Sequence, residues 1–328
     1  MNIEPQEDPI PEETTGRTLA SQVQEQLQTV ISGQESVIQG LLTCLVAGGH
    51  ALLEGVPGVA KTLLVKCLAA SSDCDYSRIQ FTPDLMPNDI TGVNIYDQNE
   101  NRFQFRKGPV FGDIVLADEI NRAPAKTQAA LLEAMQEKQV SIDGERHALS
   151  ELFTVVATQN PVDYEGTYPL PEAQLDRFLM KLHVPYPSED AELEILQRMH
   201  ALGDAAPKPE QQIQAVIQRN DLAAMRSQAR ALPIEAPVMQ YIISIIRKSR
   251  SLQSIALGAS PRAAVMLMDA AKALAVLRAK EFVTPDEVQT LACPVLRHRI
   301  RLTPEAEVEG LSPDSCIQEL LQQVPIPR

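Results

Sequence analysis

Residues 50–63 read HALLEGVPGVAKTL, and this stretch decides the fold. Residues 50–54 are a short, mostly apolar run typical of a buried strand, and the Gly/Pro-containing segment 55–60 is typical of a loop. The pattern then predicts a helix from Lys61 to about Ala70. A glycine-containing loop between a strand and a helix presents backbone N–H groups and the positive end of the helix dipole. This stretch therefore predicts a phosphate-binding site.

Side chains at the end of this loop have predicted roles toward a nucleotide. Lys61 would reach the β and γ phosphates, and the Thr62 hydroxyl would be a ligand of Mg²⁺. Ala60 stands where such loops usually have glycine; we expect a negative φ there, because the position begins the helix, and a methyl group tolerates that backbone. The candidate nucleotide-binding residues of the segment are Gly55, Val56, Pro57, Gly58, Val59, Ala60, Lys61, Thr62 and Leu63.

Apolar segments alternate with helical ones through about the first 200 residues. Such alternation predicts an α/β fold, a parallel sheet with helices on both faces, whose ligands bind beyond the carboxyl ends of the strands. A helix is predicted over 124–137. The predicted strands that follow the first one are 77–81, 114–117, 153–158 and 178–184.

Two acids follow the apolar segment 114–117. Acidic side chains at the tip of a buried strand are costly unless they have a partner. In a phosphate-loop enzyme Asp118 would hold the Mg²⁺ shell, and Glu119 would polarise the attacking water as general base. Asn160, at the polar tip of the next apolar strand, would lie between the γ-phosphate and Glu119 and orient that water.

Arginines form the third group of candidate catalytic residues. Arg177 could stabilise transition-state charge on a nucleotide bound by a neighbouring subunit, and Arg122 is a competing candidate. Arg262 would begin a helix and reach back to the same phosphates. The alternatives are a surface ion pair of Arg177 with Asp176 and a solvated first-turn position for Arg262.

The amino-acid composition limits the classes of protein to which this chain can belong. The net charge is −14 and no run of Lys and Arg occurs, which disfavours a nucleic-acid-binding surface. Five cysteines without a Cys-x-x-Cys pair are typical of a reducing compartment. The acidic N-terminus lacks the apolar core of a signal peptide, and no segment of about 18 apolar residues occurs. We therefore expect a cytoplasmic protein without a membrane span.

The length of 328 residues suits two domains. Residues 1–16 are acidic and predicted to be disordered, and 17–200 would form the α/β core. Gly and Pro within 201–210 predict a linker, after which 211–328 would form a small helical domain. The helices predicted there are 211–229, 237–252, 261–280 and 285–298, the last two after the N-cap pairs Ser260-Pro261 and Thr284-Pro285.

Five longer motifs are jointly specific: DEINRAP (118–124), LLEAMQE (131–137), ATQNP (157–161), EGTYPLPEAQLDRF (165–178) and VLRHRI (295–300). Together they resemble the MoxR branch of the AAA+ ATPases, over roughly residues 17–328. The resemblance implies a five-stranded sheet in the order 5-1-4-3-2, an all-α lid domain, and ATP and Mg²⁺ as ligands. It also implies roles by position: Lys61 and Thr62 in the Walker A motif, Asp118 and Glu119 in Walker B, Asn160 as sensor 1, Arg177 as arginine finger, Arg262 as sensor 2, and Gln34 in the adenine pocket.

The same resemblance implies two insertions and a set of partners. Residues 82–108 would be the insert in helix 2 and 138–150 the hairpin before sensor 1; Asp143-Gly144 independently predicts a hairpin turn. Such inserts face the pore of a ring or its client. The family resemblance implies a chaperone-like motor, whose partners would be other copies of the chain in a hexameric ring and a protein client, often with a von Willebrand factor A-type domain.

Three alternatives remain open. A nucleic-acid motor would need a positive pore, but the cations Lys138, Arg146 and His147 of the predicted hairpin are nearly cancelled by Asp143 and Glu145. The motor subunit of a metal chelatase shares this branch of the family. A nucleotide switch that does not hydrolyse ATP is disfavoured by the second acid of the Walker B pair.

Overall fold

The structure is a computed structural model that describes residues 16–161, 167–202 and 208–327. Most of the predicted disordered N-terminus, the centre of the predicted linker and the first two residues of the motif at 165–178 lie outside these ranges. The strands are β1 (Ala51–Glu54), β2 (Tyr76–Gln80), β3 (Gly92–Asp97), β4 (Arg102–Lys107), β5 (Ile114–Asp118), β6 (Gln139–Ile142), β7 (Glu145–Ala148), β8 (Thr154–Gln159), β9 (Met180–His183), β10 (Ile255–Leu257) and β11 (Arg301–Leu302). The helices are α1 (Gly16–Gln28), α2 (Glu35–Ala47), α3 (Lys61–Ala70), α4 (Pro87–Thr91), α5 (Ala125–Glu137), α6 (Glu172–Leu175), α7 (Glu189–Leu202), α8 (Arg219–Ala231), α9 (Ala236–Ser249), α10 (Pro261–Leu277), α11 (Pro285–Leu296), α12 (Pro304–Val308) and α13 (Pro313–Gln323).

The central sheet is parallel and has the strand order β2-β5-β8-β1-β9. When these strands are numbered 1 to 5 along the chain, the order is the predicted 5-1-4-3-2. The register pairs Ala51 with Met180 and Leu53 with Thr158. The loops after β1, β5 and β8 therefore leave from one edge of the sheet. The last strand begins at Met180, later than predicted, so Arg177 precedes it.

Hydrophobic side chains cover both faces of this sheet. Successive residues of a strand point to opposite faces, and Leu52 and Leu53 accordingly belong to different buried clusters. The cluster of Leu53 includes residues of α2, α3 and α8–α11. The cluster of Leu52 is closed by α5, through Leu131 and Met135. A sheet enclosed in this way requires apolar residues on both faces of its inner strands β1, β5 and β8, which is why these strands could be predicted.

The C-terminal part is mostly helical, as predicted, but the helix predicted over 211–229 is wrong for its first part. Residues 209–212 form a short 3₁₀ turn, and α8 begins only at Arg219. The N–H groups of Val216 and Ile217 both donate to the Ser71 carbonyl, at 2.9 and 3.1 Å. These contacts hold the segment extended beside the residues that join α3 to β2. The short pair β10–β11 has no counterpart in the sequence-based prediction, because strands of three and two residues carry too little pattern.

Both predicted N-caps are present. Ser260 Oγ accepts a hydrogen bond from the Ala263 N–H at 3.4 Å at the start of α10. Thr284 and Glu287 form a capping box at the start of α11. Across the described ranges, no helix combines the length and apolar character needed to cross a bilayer.

Two hairpins, β3–β4 and β6–β7, lie within the two predicted insertions. In the second, Asp143 and Gly144 have φ of 50° and 88°, the left-handed backbone that a two-residue hairpin turn requires. Asn94 of the first hairpin donates to Asp143 at 2.6 Å, and Phe105 stacks on His147 with ring centroids 4.0 Å apart. The two hairpins therefore form one continuous surface.

Candidate nucleotide site

The loop between β1 and α3 has the backbone of a phosphate-binding loop. An added Cβ at Gly55 would lie 2.6 Å from the Val184 carbonyl oxygen, so only glycine fits there. Gly58 and Ala60 have φ of 87° and 61°. The predicted negative φ at Ala60 is wrong, because this residue is the N-cap of α3 and turns the chain into the helix instead of belonging to it. Ala60 thus holds a left-handed backbone that usually favours glycine.

Lys61 folds back over its own loop. Its Nζ donates to the carbonyl oxygens of Gly55, of Val56 at 3.2 Å and of Gln159 at 3.4 Å. Burial lowers the pKa of the Lys61 ammonium, while nearby carboxylates act in the opposite direction. These described hydrogen bonds all go to uncharged carbonyls. A phosphate group would offer the same ammonium a charged acceptor and a shorter, stronger hydrogen bond.

Asp118 is the last residue of β5 and is only 5% exposed. Its carboxylate accepts hydrogen bonds from Thr62 Oγ1 at 3.1 Å and from Thr158 Oγ1 at 2.7 Å. Arg78 Nη2 and Nε lie 2.7 and 3.2 Å from its Oδ2. Thr62 and Asp118 are thus adjacent oxygen donors of the kind that Mg²⁺ prefers. Sequence reasoning missed Thr158 and Arg78: the first was visible as a polar strand end, whereas the second belongs to no motif.

Glu119 follows Asp118 in a left-handed backbone with φ of 55°. Its carboxylate is 41% exposed and accepts from Arg122 Nη1 at 2.9 Å and from Gln80 Nε2 at 3.1 Å. Its backbone N–H donates to Thr158 Oγ1 at 2.8 Å. Glu119 is therefore accessible to water, as a general base must be. Arg122, the competing trans arginine, is bound to the acid of its own chain.

These residues line one cleft of about 580 Å³ at the edge where the strands end. The structure brings together residues 57–63 of the loop, both acids and Asn160, whereas the predicted Gly55 and Val56 are not part of this lining. Four further lining residues were missed by sequence reasoning. The lining comprises Pro57, Gly58, Val59, Ala60, Lys61, Thr62, Leu63, Arg78, Gln80, Asp118, Glu119, Thr158, Gln159 and Asn160.

A smaller, mostly apolar pocket of about 250 Å³ adjoins this cleft. The two share Gly58, Val59, Ala60 and Leu63, and Gln34, the residue predicted for an adenine pocket, lines the smaller one. Gln34 Nε2 donates to the Pro185 carbonyl at 2.9 Å. Its Oε1 is buried without a hydrogen-bond partner among the described residues. An apolar pocket with one unpaired acceptor, next to a phosphate loop, fits an adenine base, which offers an amino donor. The remaining lining residues are Thr29, Val30, Ile31, Ser32, Pro187, Ile195, Arg198, Met199, Pro209 and Gln212.

Arg177 and Arg262 lie away from this cleft. Both are near Asp176, which precedes β9 and therefore lies toward the edge where the strands begin. Arg262 Nε is 3.8 Å from Asp176 Oδ2, and Arg299 Nε is 2.7 Å from Oδ1. The expectation that Arg262 reaches back to the phosphates is wrong within one chain, because its guanidinium lies beside Asp176, before β9. The alternative ion pair of Arg177 with Asp176 is not formed among the described contacts, since Asp176 binds the other two arginines.

Comparison with known proteins agrees with this geometry. The model of the ATPase family associated with various cellular activities (AAA) matches residues 50–180, and that of the AAA lid domain matches 247–320. The chain is 45% identical to protein YeaC of Bacillus subtilis over 92% of this chain and 93% of that one. It is 42% identical to the chaperone MoxR1 of Mycobacterium tuberculosis over 92% and 81%. A crystal structure of a candidate ATPase from Cytophaga hutchinsonii superposes with a TM-score of 0.86, at 42% identity and 95% and 96% coverage. The chain belongs to the MoxR family of AAA+ ATPases.

Proposed function

We propose that this chain binds ATP with Mg²⁺ and hydrolyses it to ADP and phosphate. The observation that carries the proposal is the cleft, which joins Lys61, Thr62, Asp118 and Glu119 at one edge of the sheet. The adjoining apolar pocket would hold the base, with Gln34 accepting from its amino group. Family membership supports the same activity.

Several residues of the cleft have assigned tasks. The loop N–H groups and Lys61 would hold the phosphates, and Thr62 and Asp118 would hold Mg²⁺. Mg²⁺ bound there would supply positive charge that stabilises the phosphate oxygens. Glu119 accepts a proton from the attacking water, and Asn160 orients that water.

Two substitutions separate binding from turnover. Lys61→Ala should abolish nucleotide binding, because the phosphates lose their charged donor, whereas Glu119→Gln should bind ATP and stop hydrolysing it. Binding is measured by calorimetry and turnover by phosphate release. Lys66→Ala, in the same helix but outside the cleft, is the control. Normal affinity in Lys61→Ala, or undiminished hydrolysis in Glu119→Gln, would contradict the assignment.

We further propose that each active site is completed by a neighbouring copy of the chain in a ring. Arg177 and Arg262 lie toward the opposite edge of the sheet from their own cleft. An arginine there can reach phosphates only in another subunit. In a closed ring each subunit presents one face to the next, so a cleft on one face meets arginines on the other. The hexamer implied by the family fits this arrangement.

The shared site makes hydrolysis depend on assembly. The rate per subunit should rise with protein concentration as light scattering detects the oligomer. Arg177→Ala should keep nucleotide binding and lose about 10³-fold or more in rate, the usual contribution of an arginine finger. Mixing it with Glu119→Gln should recover activity, because some sites then combine an intact base with an intact arginine. A constant rate from a monomer would contradict the ring.

A protein client is the most consistent target of this motor. The relative from Mycobacterium tuberculosis is named a chaperone, and the net charge of −14 disfavours nucleic acid. On the β3–β4 hairpin, Tyr96 and Phe103 form an edge-to-face pair and are 47% and 69% exposed. Exposed aromatic side chains of this kind suit binding to unfolded or extended protein. A client with a von Willebrand factor A-type domain remains part of this proposal.

The hairpin's part in client binding can be tested on a heat-denatured test protein. Phe103→Ser should leave the basal ATPase rate unchanged and reduce suppression of aggregation, because the exposed ring is lost. Val308→Ser, which also removes an exposed apolar side chain, is the control. Equal suppression by all three proteins would rule out the hairpin as the contact surface.

A further inference from the structure

Arg78 is an unexpected neighbour for the acid assigned to the metal shell. It lies in the middle of β2, where the register pairs it with Leu116, and Gln80 with Asp118. Its guanidinium contacts Asp118 Oδ2 through two nitrogen atoms, at 2.7 and 3.2 Å. Arg78 also lines the cleft beside Thr62. The pairing of β2 with β5 therefore places a side-chain cation beside Asp118.

The two side chains of this ion pair differ in how far they are exposed to solvent. The Asp118 side chain is 7% exposed, whereas that of Arg78 is 42% exposed. Asp118 is further held by Thr158 Oγ1 at 2.7 Å and Thr62 Oγ1 at 3.1 Å. The carboxylate is thus fixed, and the guanidinium is the partner that can move into solvent.

A buried carboxylate without a cation is strongly unfavourable. In the structure the Arg78 guanidinium supplies a cation at Asp118 Oδ2. The same oxygen, Oδ2, lies on the side of the carboxylate that is not occupied by Thr158. Arg78 and a metal ion beside Thr62 would therefore compete for Asp118, both for lone pairs and through mutual repulsion.

We propose that Arg78 is a displaceable counter-ion, which Asp118 exchanges for Mg²⁺ when nucleotide binds. This inference rests on the proposed function, since it needs a nucleotide site. The exchange keeps the buried charge of Asp118 paired in both states. The more tightly Arg78 holds Asp118, the higher the Mg²⁺ concentration that nucleotide binding requires.

The experiment measures the binding of the non-hydrolysable ATP analogue AMP-PNP by calorimetry, in EDTA and at a series of free Mg²⁺ concentrations. Arg78→Met removes the competing cation and keeps the length of the side chain. The Mg²⁺ concentration at half-maximal gain in affinity should fall about fivefold, the size expected for one partly exposed ion pair. Affinity in EDTA should fall by no more than about fivefold, because the unpaired Asp118 carboxylate then repels the phosphates.

Two further variants keep the test specific. Arg78→Lys retains the charge but can make only one contact, so its Mg²⁺ requirement should lie between those of the wild type and Arg78→Met. It also carries the test if Arg78→Met fails to fold. Arg102→Gln removes a charge from an exposed arginine of the β3–β4 hairpin and should leave the Mg²⁺ requirement unchanged.

The outcomes separate this inference from the function on which it rests. An unchanged Mg²⁺ requirement in both Arg78 variants, with normal AMP-PNP binding, would overturn the counter-ion role. A loss of affinity in EDTA well beyond about fivefold would make Arg78 a phosphate ligand and overturn it too. Failure of the wild-type chain to bind AMP-PNP at all would instead contradict the proposed ATP site.

Discussion

Two residues at the nucleotide cleft hold a left-handed backbone without being glycine. Ala60 has φ of 61° and ψ of 25°, and Glu119 has φ of 55° and ψ of 52°. This conformation costs an L-residue roughly 1–2 kcal/mol, because Cβ approaches the carbonyl oxygen that follows. Each residue begins a helical segment just beyond the edge of the sheet. Strain of this kind concentrates at functional sites, where the surrounding structure holds it in place.

Ala60→Gly tests the strain at the first of these positions. Glycine removes the cost of the left-handed backbone, so the free energy of unfolding should rise by about 0.5–1 kcal/mol in spite of the entropy that glycine adds to the unfolded chain. Ala129→Gly, at an exposed position inside α5, should lower it by about 1 kcal/mol. Urea unfolding compares the two. A similar loss in both variants would contradict the positive φ at Ala60.

At the scale of secondary structure, one buried arginine ties α8 to the sheet. Arg226 is 4% exposed and donates to the carbonyl of Leu45 at 2.8 Å, near the end of α2. It also donates to the carbonyls of Glu151 and Leu152, at 2.7 and 3.1 Å, and to Thr154 Oγ1 at 2.8 Å. A cation at the C-terminal end of a helix is favoured by the helix dipole. Burial nevertheless lowers the pKa of Arg226 to about 10.

Removing the Arg226 side chain should strongly destabilise the fold. Arg226→Met leaves several buried acceptors without a donor, so the free energy of unfolding should fall by about 3–5 kcal/mol. Arg230→Met, in the exposed part of the same helix, should change it by less than about 0.5 kcal/mol. Guanidinium unfolding gives both values. A loss below about 1 kcal/mol in Arg226→Met would show that the contacts are not made in solution.

For the whole molecule, the lid and the sheet are joined at the segment that carries Arg177. Arg299, just after α11, donates to the carbonyls of Phe178 at 2.5 Å and Leu179 at 3.2 Å and pairs with Asp176. Burial lowers the pKa of Arg299 to about 10, although Asp176 acts in the opposite direction. The lid therefore sets where the candidate arginine finger lies relative to the sheet.

The buried, hydrogen-bonded His50 should make the stability of the fold depend on pH. Its Nδ1 accepts from the Val155 N–H at 2.9 Å, and its Nε2 lies 3.3 Å from the Met135 carbonyl, so the ring is neutral in the fold. Burial lowers its pKa from 6.5 to about 4. Between these values the unfolded chain binds a proton that the folded chain does not. Stability should therefore be complete above pH 6.5 and fall by on the order of 3 kcal/mol as the pH drops to about 4.

Denaturant unfolding at pH 7.5 and pH 5 tests this decline. His50→Gln retains one donor and one acceptor but does not titrate, so its decline should be smaller than that of the wild type. His200→Gln, in the exposed part of α7, should keep the full decline. If the wild type and His50→Gln lose equal stability, His50 is not the group responsible.

Features encoded by neighbouring residues could be predicted from the sequence. The apolar strands, the loop at Gly55–Thr62, the acid pair and both proline-led N-caps are all short contiguous patterns with a direct physical meaning. The order of the strands came from the resemblance, since periodicity alone does not give it. The backbone at Ala60 was predicted wrongly, because φ at a helix boundary depends on how the loop enters the helix.

Tertiary structure alone decided what surrounds these motifs. Arg78 and Gln80 reach the two acids only because β2 and β5 pair in one particular register, which no local pattern reveals. The position of Arg262 depends on how α10 packs against the segment before β9. Residues 213–218 are extended rather than helical because Ser71, far along the chain, accepts their hydrogen bonds. Sequence determined which groups could do chemistry here, and packing between distant segments determined which of them meet.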